Sequence, residues 1–560
     1  MGNSAAAGVG RVVAGAGLLA AVAALPWLSG ADPAPAVLRA RSADQDPSPE
    51  QLAVVREQLG LDQGPLPHLG QWLSGLLRGD AGVSWVSGEP VLPEVATALG
   101  VSITLMRGAL VVTIAVAALV CVRTLRLASR SLLLEGRAGT GAAFLAALPK
   151  FLLASLLATV FAVWLRWFPS GGWDGPASMV LPALGVPSGA VIGGLLDQAL
   201  PARFNEPWVR TWQACGLPPG HIARHGLRVA VAGVLPQLLP TVVALVGGAV
   251  AVETIFTIPG LGRLALDAAV ARDLPPLQTA TLVLVLLGVV AGVVLRALRR
   301  ALLGPALRDG ALPALNPPAL RPHSSTRWIA GSCALAFLTL VTAGLLRDPL
   351  HVDTAARLVA PSIAHPFGTD ALGRDLLARL GHGALRTAGL AFAVTAVSVL
   401  IGLLLGMAGR VSAGLMEVVS TLPTVLAGLV TTAVTGPSVW DAAGAVYVVG
   451  WTPYAIQAAA LFDQERASGH VLVSKSLGAG RMHLVRRGLL PAVLRNALLR
   501  LPTTVLVLAS LGFLGLGEQP PTPEWGRLLS ENLPYLELAP WTVLSPAAAL
   551  AHLMETVSVV

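Results

Sequence analysis

Two segments of this 560-residue chain carry side chains suited to directional chemistry, and they are nearly the same segment. The first reads Gly216-Leu-Pro-Pro-Gly-His221-Ile-Ala-Arg224-His-Gly226-Leu227. The second reads Gly478-Ala-Gly-Arg-Met-His483-Leu-Val-Arg486-Arg487-Gly488-Leu489. Both fit G-x4-H-[IL]-x-R-x-G-L, at a constant offset of 262 residues (216 to 478). The chemistry this supports is recognition rather than bond-making. Arginine donates paired hydrogen bonds to a partner's carboxylate or to a lipid phosphate, and glycine permits a sharp turn where a side chain would clash. One such segment alone reads as an ordinary basic anchor. The repeated His-x-x-Arg spacing favours a docking loop made twice.

Other reactive patterns are weaker. Gly469-His-Val-Leu-Val-Ser-Lys475-Ser476 approaches the phosphate-cradling G-x4-G-K-[ST], but Ser474 stands where the second glycine belongs. Cys121, Cys215 and Cys333 follow no ligand or disulfide spacing. The ten histidines are dispersed, without H-E-x-x-H, so no metal site is expected. Gly-x-Ser-x-Gly is absent too, and no catalytic residue is assigned. Asp197, Glu253 and Asp441 fall near the ends of apolar runs, whereas a proton- or sodium-coupled carrier would place acids near the bilayer midplane. Glu253 is a candidate for a translocation path near an outer gate, with an interfacial anchor or cap as the other reading.

The elements that must position these loops are membrane helices. The chain is 54% hydrophobic and 12% charged, against about 25% charged in soluble domains, and its mean hydropathy is +0.71. Apolar runs of about 20 residues, enough to cross a bilayer, are expected at 12–28, 98–122, 145–168, 178–199, 231–254 and 278–297. They recur at 328–346, 386–408, 412–434, 443–462, 494–515 and 539–560. Basic residues crowd alternate connections: 123–150, 200–230 and 296–327 each hold one acid against several arginines. By the positive-inside rule those connections are cytosolic. The excursion 29–97, with nine acidic and four basic residues, is then outside. Within it, Ser48-Pro-Glu50 opens a short helix closed by Gly60. The net charge of +8 concerns the membrane surface, since no aromatic-interleaved basic face suggests nucleic acid.

The expected fold is therefore an all-α polytopic membrane protein of two parallel six-helix repeats. Residues 1–303 form the first half, with a loop at 203–228. A Pro-rich linker follows at 304–327, and the second half, 328–560, has its loop at 466–490. N- and C-termini are expected in the cytosol.

The motifs resemble one family. The two loops look like the EAA-type loops of bacterial ABC importer permeases, and the flanks resemble the dipeptide/oligopeptide/nickel branch. Val209-Arg210-Thr-Trp212-Gln213-Ala214-Cys215-Gly216 and Val252-Glu253-Thr-Ile-Phe-Thr-Ile-Pro259-Gly260-Leu-Gly262 are similar to one permease of that branch. His365-Pro-Phe-Gly-Thr-Asp370-Ala-Leu-Gly-Arg-Asp375 and Leu514-Gly-Leu-Gly517-Glu-Gln-Pro-Pro-Thr-Pro-Glu-Trp525-Gly526 are similar to its partner. The resemblance implies two permeases fused head to tail in a bacterial cytoplasmic membrane, importing peptides or a nickel or metallophore complex. It implies coupling through Arg210, Ala214, Gly216, His221 and Arg224, and through Lys475, Ser476, Gly478, His483, Arg486 and Arg487. It also makes Glu253, Pro259, Gly260, Gly262, Gly517 and Trp525 candidates for the outer gate. Two partner ATPases would hold ATP and magnesium, and an extracytoplasmic binding protein would deliver solute. Trp212, Gln213 and Cys215 depart from the family's small or basic residues, so the first loop is expected to couple more weakly. The alternative is a secondary carrier with the same 6+6 plan. A last repeat, Gly262-Arg263-Leu264 and Gly526-Arg527-Leu528, lies at an offset of 264 (262 to 526) and reads as turn chemistry or as lid loops.

Overall fold

The structure, a computed structural model, describes residues 20, 34–41, 48–58, 65–129, 165, 180–303, 324–408, 410–420, 424–436, 438–467 and 490–559. All but residue 20 of the expected span 12–28, all but residue 165 of 145–168, nearly all of the linker and most of the second loop, 468–489, lie outside them.

The described residues form helices: α1 (Ala34–Arg41), α2 (Pro49–Gln58), α3 (Pro65–Leu77), α4 (Val91–Ser129), α5 (Val180–Phe204), α6 (Pro207–Ala214), α7 (Pro219–Ile255), α8 (Leu261–Ala271) and α9 (Leu274–Leu303). After the linker come α10 (Ser324–Leu345), α11 (Leu376–Met407), α12 (Arg410–Val419), α13 (Thr424–Thr435), α14 (Val439–Gly450) and α15 (Thr452–Ala467). The chain closes with α16 (Leu490–Phe513), α17 (Trp525–Asn532) and α18 (Trp541–Val559). No strand occurs among the described residues beyond two isolated bridges. Five stretches are long and apolar enough to cross a membrane: Val91–Leu127, Leu274–Leu302, Leu376–Met407, Val439–Phe462 and Leu490–Phe513. This is a multi-pass, all-α architecture.

Of the boundaries that differ from the sequence expectation, three bear on the site or on a helix break, two of them for the same reason. The run 412–434 is two helices, α12 and α13, and the residue just before α13 is Pro423. The run 443–462 breaks between α14 and α15, where Pro453 sits in the first turn of the new helix. Proline has no N–H to give the preceding turn but is accepted where a helix begins. The third is α7, which begins at Pro219 rather than near 231, so His221 and Arg224 lie on a helix. The expected start at Ser48 holds. Its Oγ accepts from the Gln51 amide (3.3 Å) while Gln51 Oε1 accepts from the Ser48 amide (2.8 Å), a reciprocal cap.

The helices divide into two compact units. One comprises 1–98, 261–283 and 326–560; the other comprises 99–260 and 284–325. In the first unit α11 packs along α15 and α16, α13 along α14, and α17 against both α16 and α18. Gly402 and Gly406 let α11 meet α15. A Cβ on Gly402 would stand 2.7 Å from Tyr454 Cβ, and one on Gly406 would stand 2.7 Å from the Ala455 carbonyl oxygen. Small residues four apart are how membrane helices approach backbone to backbone, where lipid offers no hydrophobic drive between them. In the second unit α5 packs against α7.

Candidate functional site

The first repeated segment folds as helix, turn, helix. Pro207 starts α6, and the Glu206 carboxylate before it accepts from Arg203 (2.8 Å) and from Trp208 Nε1 (3.1 Å). Gly216 adopts φ +74°. The amides of Gly216 and Leu217 return to the carbonyls of Gln213 (2.9 Å) and Trp212 (3.1 Å), closing α6 with the left-handed turn that glycine favours. Val209 and Ile222 go down into an apolar cluster with Cys121, Leu196, Leu200 and Phe204. Trp208 and Trp212 both pack on the His225 ring, with centroids 4.9 and 4.8 Å away, and so pin α6 to the start of α7. The Trp212 departure thus has a packing role. Gly226 is required as well, because a Cβ there would stand 2.5 Å from the Phe204 ring. Arg228 Nε donates to the Leu302 carbonyl (2.8 Å) at the end of α9.

What remains outward is the set named from sequence. Arg210, Ala214, Gly216, His221 and Arg224 are all exposed. All five lie on the helix–turn–helix segment of α6 and α7 with their surfaces open. Lys475, Ser476, Gly478, His483, Arg486 and Arg487 lie outside the described residues.

Of the candidate gate residues, the structure brings Glu253 and Gly260 into contact. Glu253 is buried on α7, where Ser102 Oγ donates to it (2.7 Å). Gly260 fits against that carboxyl, since a Cβ would come within 2.2 Å of it. Pro259 is exposed, and Gly262 is buried on α8. Gly517 lines a cavity described below. Trp525 is wholly buried on α17 and donates through Nε1 to the Leu380 carbonyl (3.0 Å).

The His365–Asp375 and Leu514–Gly526 motifs, distant in sequence, border one ionic network. Asp370 accepts from the amides of Leu372 and Arg374 (both 2.9 Å), from Arg374 Nε and from Arg379 Nη1 (both 2.7 Å). Arg379, fully buried, also reaches Glu531 on α17 (3.0 Å). Asp375 caps α11 through the Leu377 amide (2.9 Å) and pairs with Arg347. Arg527 meets Glu531 at 3.5 Å, one turn apart. Arg263 meets Asp267 in the same way on α8, also at 3.5 Å. The Gly-Arg-Leu repeat at offset 264 thus extends to the paired acid, Asp267 and Glu531, and marks α8 and α17 as counterparts.

Glu524 is the residue that spacing alone does not single out. Its carboxylate caps α17, accepting from the amides of Gly526 (2.9 Å) and Arg527 (2.8 Å), with Thr387 Oγ1 at 3.4 Å. A Cβ on Gly512 would lie 2.0 Å from Glu524 Oε2. Burial above all, with the Glu518 charge adding to it and the two amides opposing, pushes its pKa up to about 7. The available signal was an acid directly before a short amphipathic run, the position that caps a helix. Among the described residues no group of three or more His, Cys, Asp or Glu could hold a metal.

Comparison with known proteins shows the family. The family described as binding-protein-dependent transport system inner membrane component matches residues 127–304 and again residues 386–559. A probable D,D-dipeptide transport system permease protein of Escherichia coli (strain K12) is 33% identical over 215 residues, 36% of this chain and 72% of that protein. A dipeptide transport system permease protein of Alkalihalophilus pseudofirmus is 32% identical over 228 residues, 38% of this chain and 75% of that protein. A glutathione transport system permease protein of Escherichia coli O6:H1 is 34% identical over 267 residues, 46% of this chain and 84% of that protein. Each relative occupies less than half of this chain.

Proposed function

Because the chain belongs to the family of binding-protein-dependent transport system inner membrane components, we propose that it forms the translocation pore of an ATP-driven peptide importer, two permeases joined in one polypeptide. The observation that carries the reading is the double match of one family model, at 127–304 and 386–559, in a single chain. The names of the relatives, all transporters of dipeptides, other peptides or glutathione, support short peptides as the solute. On this reading residues 1–303 and 328–560 are the two halves and 304–327 the cytosolic linker. Both termini face the cytosol of a bacterium.

ATP and magnesium bind two partner ATPase subunits rather than this chain, and an extracytoplasmic binding protein delivers the solute. The exposed face of Arg210, His221 and Arg224 on α6 and α7 receives the first ATPase; His483, Arg486 and Arg487 receive the second. Its packing suits the role. A face pushed by a partner transmits motion only if its back is fixed, and Val209, Ile222 and the Trp208–Trp212–His225 cluster fix it. Glu253 is proposed to border the solute path at its outer end.

Capture of the ATPase subunits tests the docking surfaces. Arg224→Glu combined with Arg486→Glu is expected to reduce co-purified ATPase by at least about tenfold, since a reversed charge replaces an attractive contact with a repulsive one. Each single variant is expected to retain part of it, Arg224→Glu the more. Undiminished capture by the double variant sinks the assignment. Uptake that follows a proton gradient without any ATPase would restore the carrier alternative.

A further inference from the structure

Between α11, α14, α16 and the segment leading to α17 lies a cavity of about 140 Å³. Leu390 and Leu508 give it apolar walls, Thr387, Glu518 and Glu524 give it oxygen, and Arg386 stands at its rim with half of its side chain exposed. We propose that this cavity is a subsite for a primary ammonium group carried on one small apolar residue, the amino end of a short peptide. The inference rests on the peptide-uptake reading above and deepens it.

Charge selects the ligand. Two carboxylates and one guanidinium line the cavity, and that guanidinium is already paired with Glu518. An anion entering here would meet the Glu518 charge and, wherever Glu524 is ionised, a second like charge, and a neutral group would leave carboxylate lone pairs unused. An ammonium has three donors and no acceptor, and Glu518 and Glu524 offer it carboxylate oxygens. Glu524 Oε1 already takes the Gly526 amide and the Thr387 hydroxyl, while Oε2 takes only the Arg527 amide and has room for a second donor. Size points the same way: about 140 Å³ is well below the roughly 300–1,000 Å³ of pockets that take up a drug-sized ligand whole, which suits one small residue rather than a whole peptide. A metal ion would want more ligands than the described residues group together here.

The other charged groups nearby are engaged elsewhere: Arg527 of α17 with Glu531, and Asp441 of α14 with Ser438. A bound ammonium favours ionised Glu524, so binding strengthens as that carboxyl loses its proton. From pH 6 to 7 the ionised fraction of a group titrating near 7 rises about fivefold, while a peptide amine, with a pKa of about 7.7–8.0, stays mostly charged.

The test is binding of radiolabelled alanyl-alanine to the full chain in lipid nanodiscs, with no binding protein present. Alanyl-alanine amide is expected to compete as well as the parent. N-acetyl-alanyl-alanine is expected to compete at least about tenfold less well, the effect of losing hydrogen bonds to charged groups. Affinity should rise about fivefold from pH 6 to 7 in the wild type and stay flat in Glu524→Gln. Glu518→Gln should weaken binding about tenfold, and Leu508→Trp, which fills the cavity, should abolish it. Equal competition by the N-acetylated probe, or unchanged binding in both Glu518→Gln and Leu508→Trp, overturns the subsite. Cells that take up alanyl-alanine through a chain showing no amine-dependent binding refute the subsite and leave the peptide reading intact. Specific binding without uptake refutes the peptide reading and leaves the subsite.

Discussion

Replacing Asp370 with alanine is expected to destabilise the chain by about 3–5 kcal/mol, the range seen when one partner of a buried ion pair is removed. The size follows from what the carboxylate holds. It accepts two backbone amides and two guanidinium groups, and it is itself almost fully buried. Without it, Arg374 and Arg379 repel each other with only Glu531 between them, and Arg379 has no route to water. Asp370→Asn separates the contributions, since its side-chain oxygen still serves the turn amides while the charge is gone. Denaturation of the purified chain in nanodiscs should rank wild type above Asn and Asn above Ala. A Asp370→Ala chain as stable as wild type would show that the network is not held in the membrane as described.

The second large effect is a pH dependence of stability centred on Glu524. Its pKa is raised from the ordinary 4.5 to about 7 in the folded chain. A raised carboxyl pKa stabilises the fold at low pH. That contribution is fully present below about pH 4.5 and is lost as pH rises through about 7, for a total on the order of 3 kcal/mol. The chain should therefore be measurably more stable at pH 5 than at pH 8. The decisive quantity is the difference between wild type and Glu524→Gln, which isolates this carboxyl from every other pH effect. If the variant's stability curve runs parallel to the wild type's from pH 5 to 8, the carboxyl is not held in a dry site.

Much of this was legible in the sequence, for physical reasons that can be named. Membrane class followed from composition, because crossing hydrocarbon demands long uncharged runs. The exposed face of Arg210, Ala214, Gly216, His221 and Arg224 followed from polar residues interrupting those runs, and Gly216 from the turn they require. Helix breaks near Pro423 and Pro453 were missed because an apolar window averages over a proline that changes only the backbone. Burial of Arg379 was missed for a different reason. A charged residue enters the interior only when its partners come from elsewhere in the chain, and Glu531 lies 152 residues away. Glu524 was inside a quoted motif, yet nothing local reveals that Gly512 leaves it room. The paired acids Asp267 and Glu531 were readable four residues beyond a repeat already noticed.

Asp273, just before α9, receives the Trp85 amide (2.8 Å), the Val86 amide (3.3 Å) and the Ser84 hydroxyl. This buried carboxylate sits between residues 189 positions apart and acts as a clasp that closes a ring of chain. Closing so long a ring costs little more than closing a short one, since the entropy grows only with the logarithm of length. The segment leading into α4 and the start of α9 are thereby tied at one carboxylate, and a cut within the ring would leave that tie fastened.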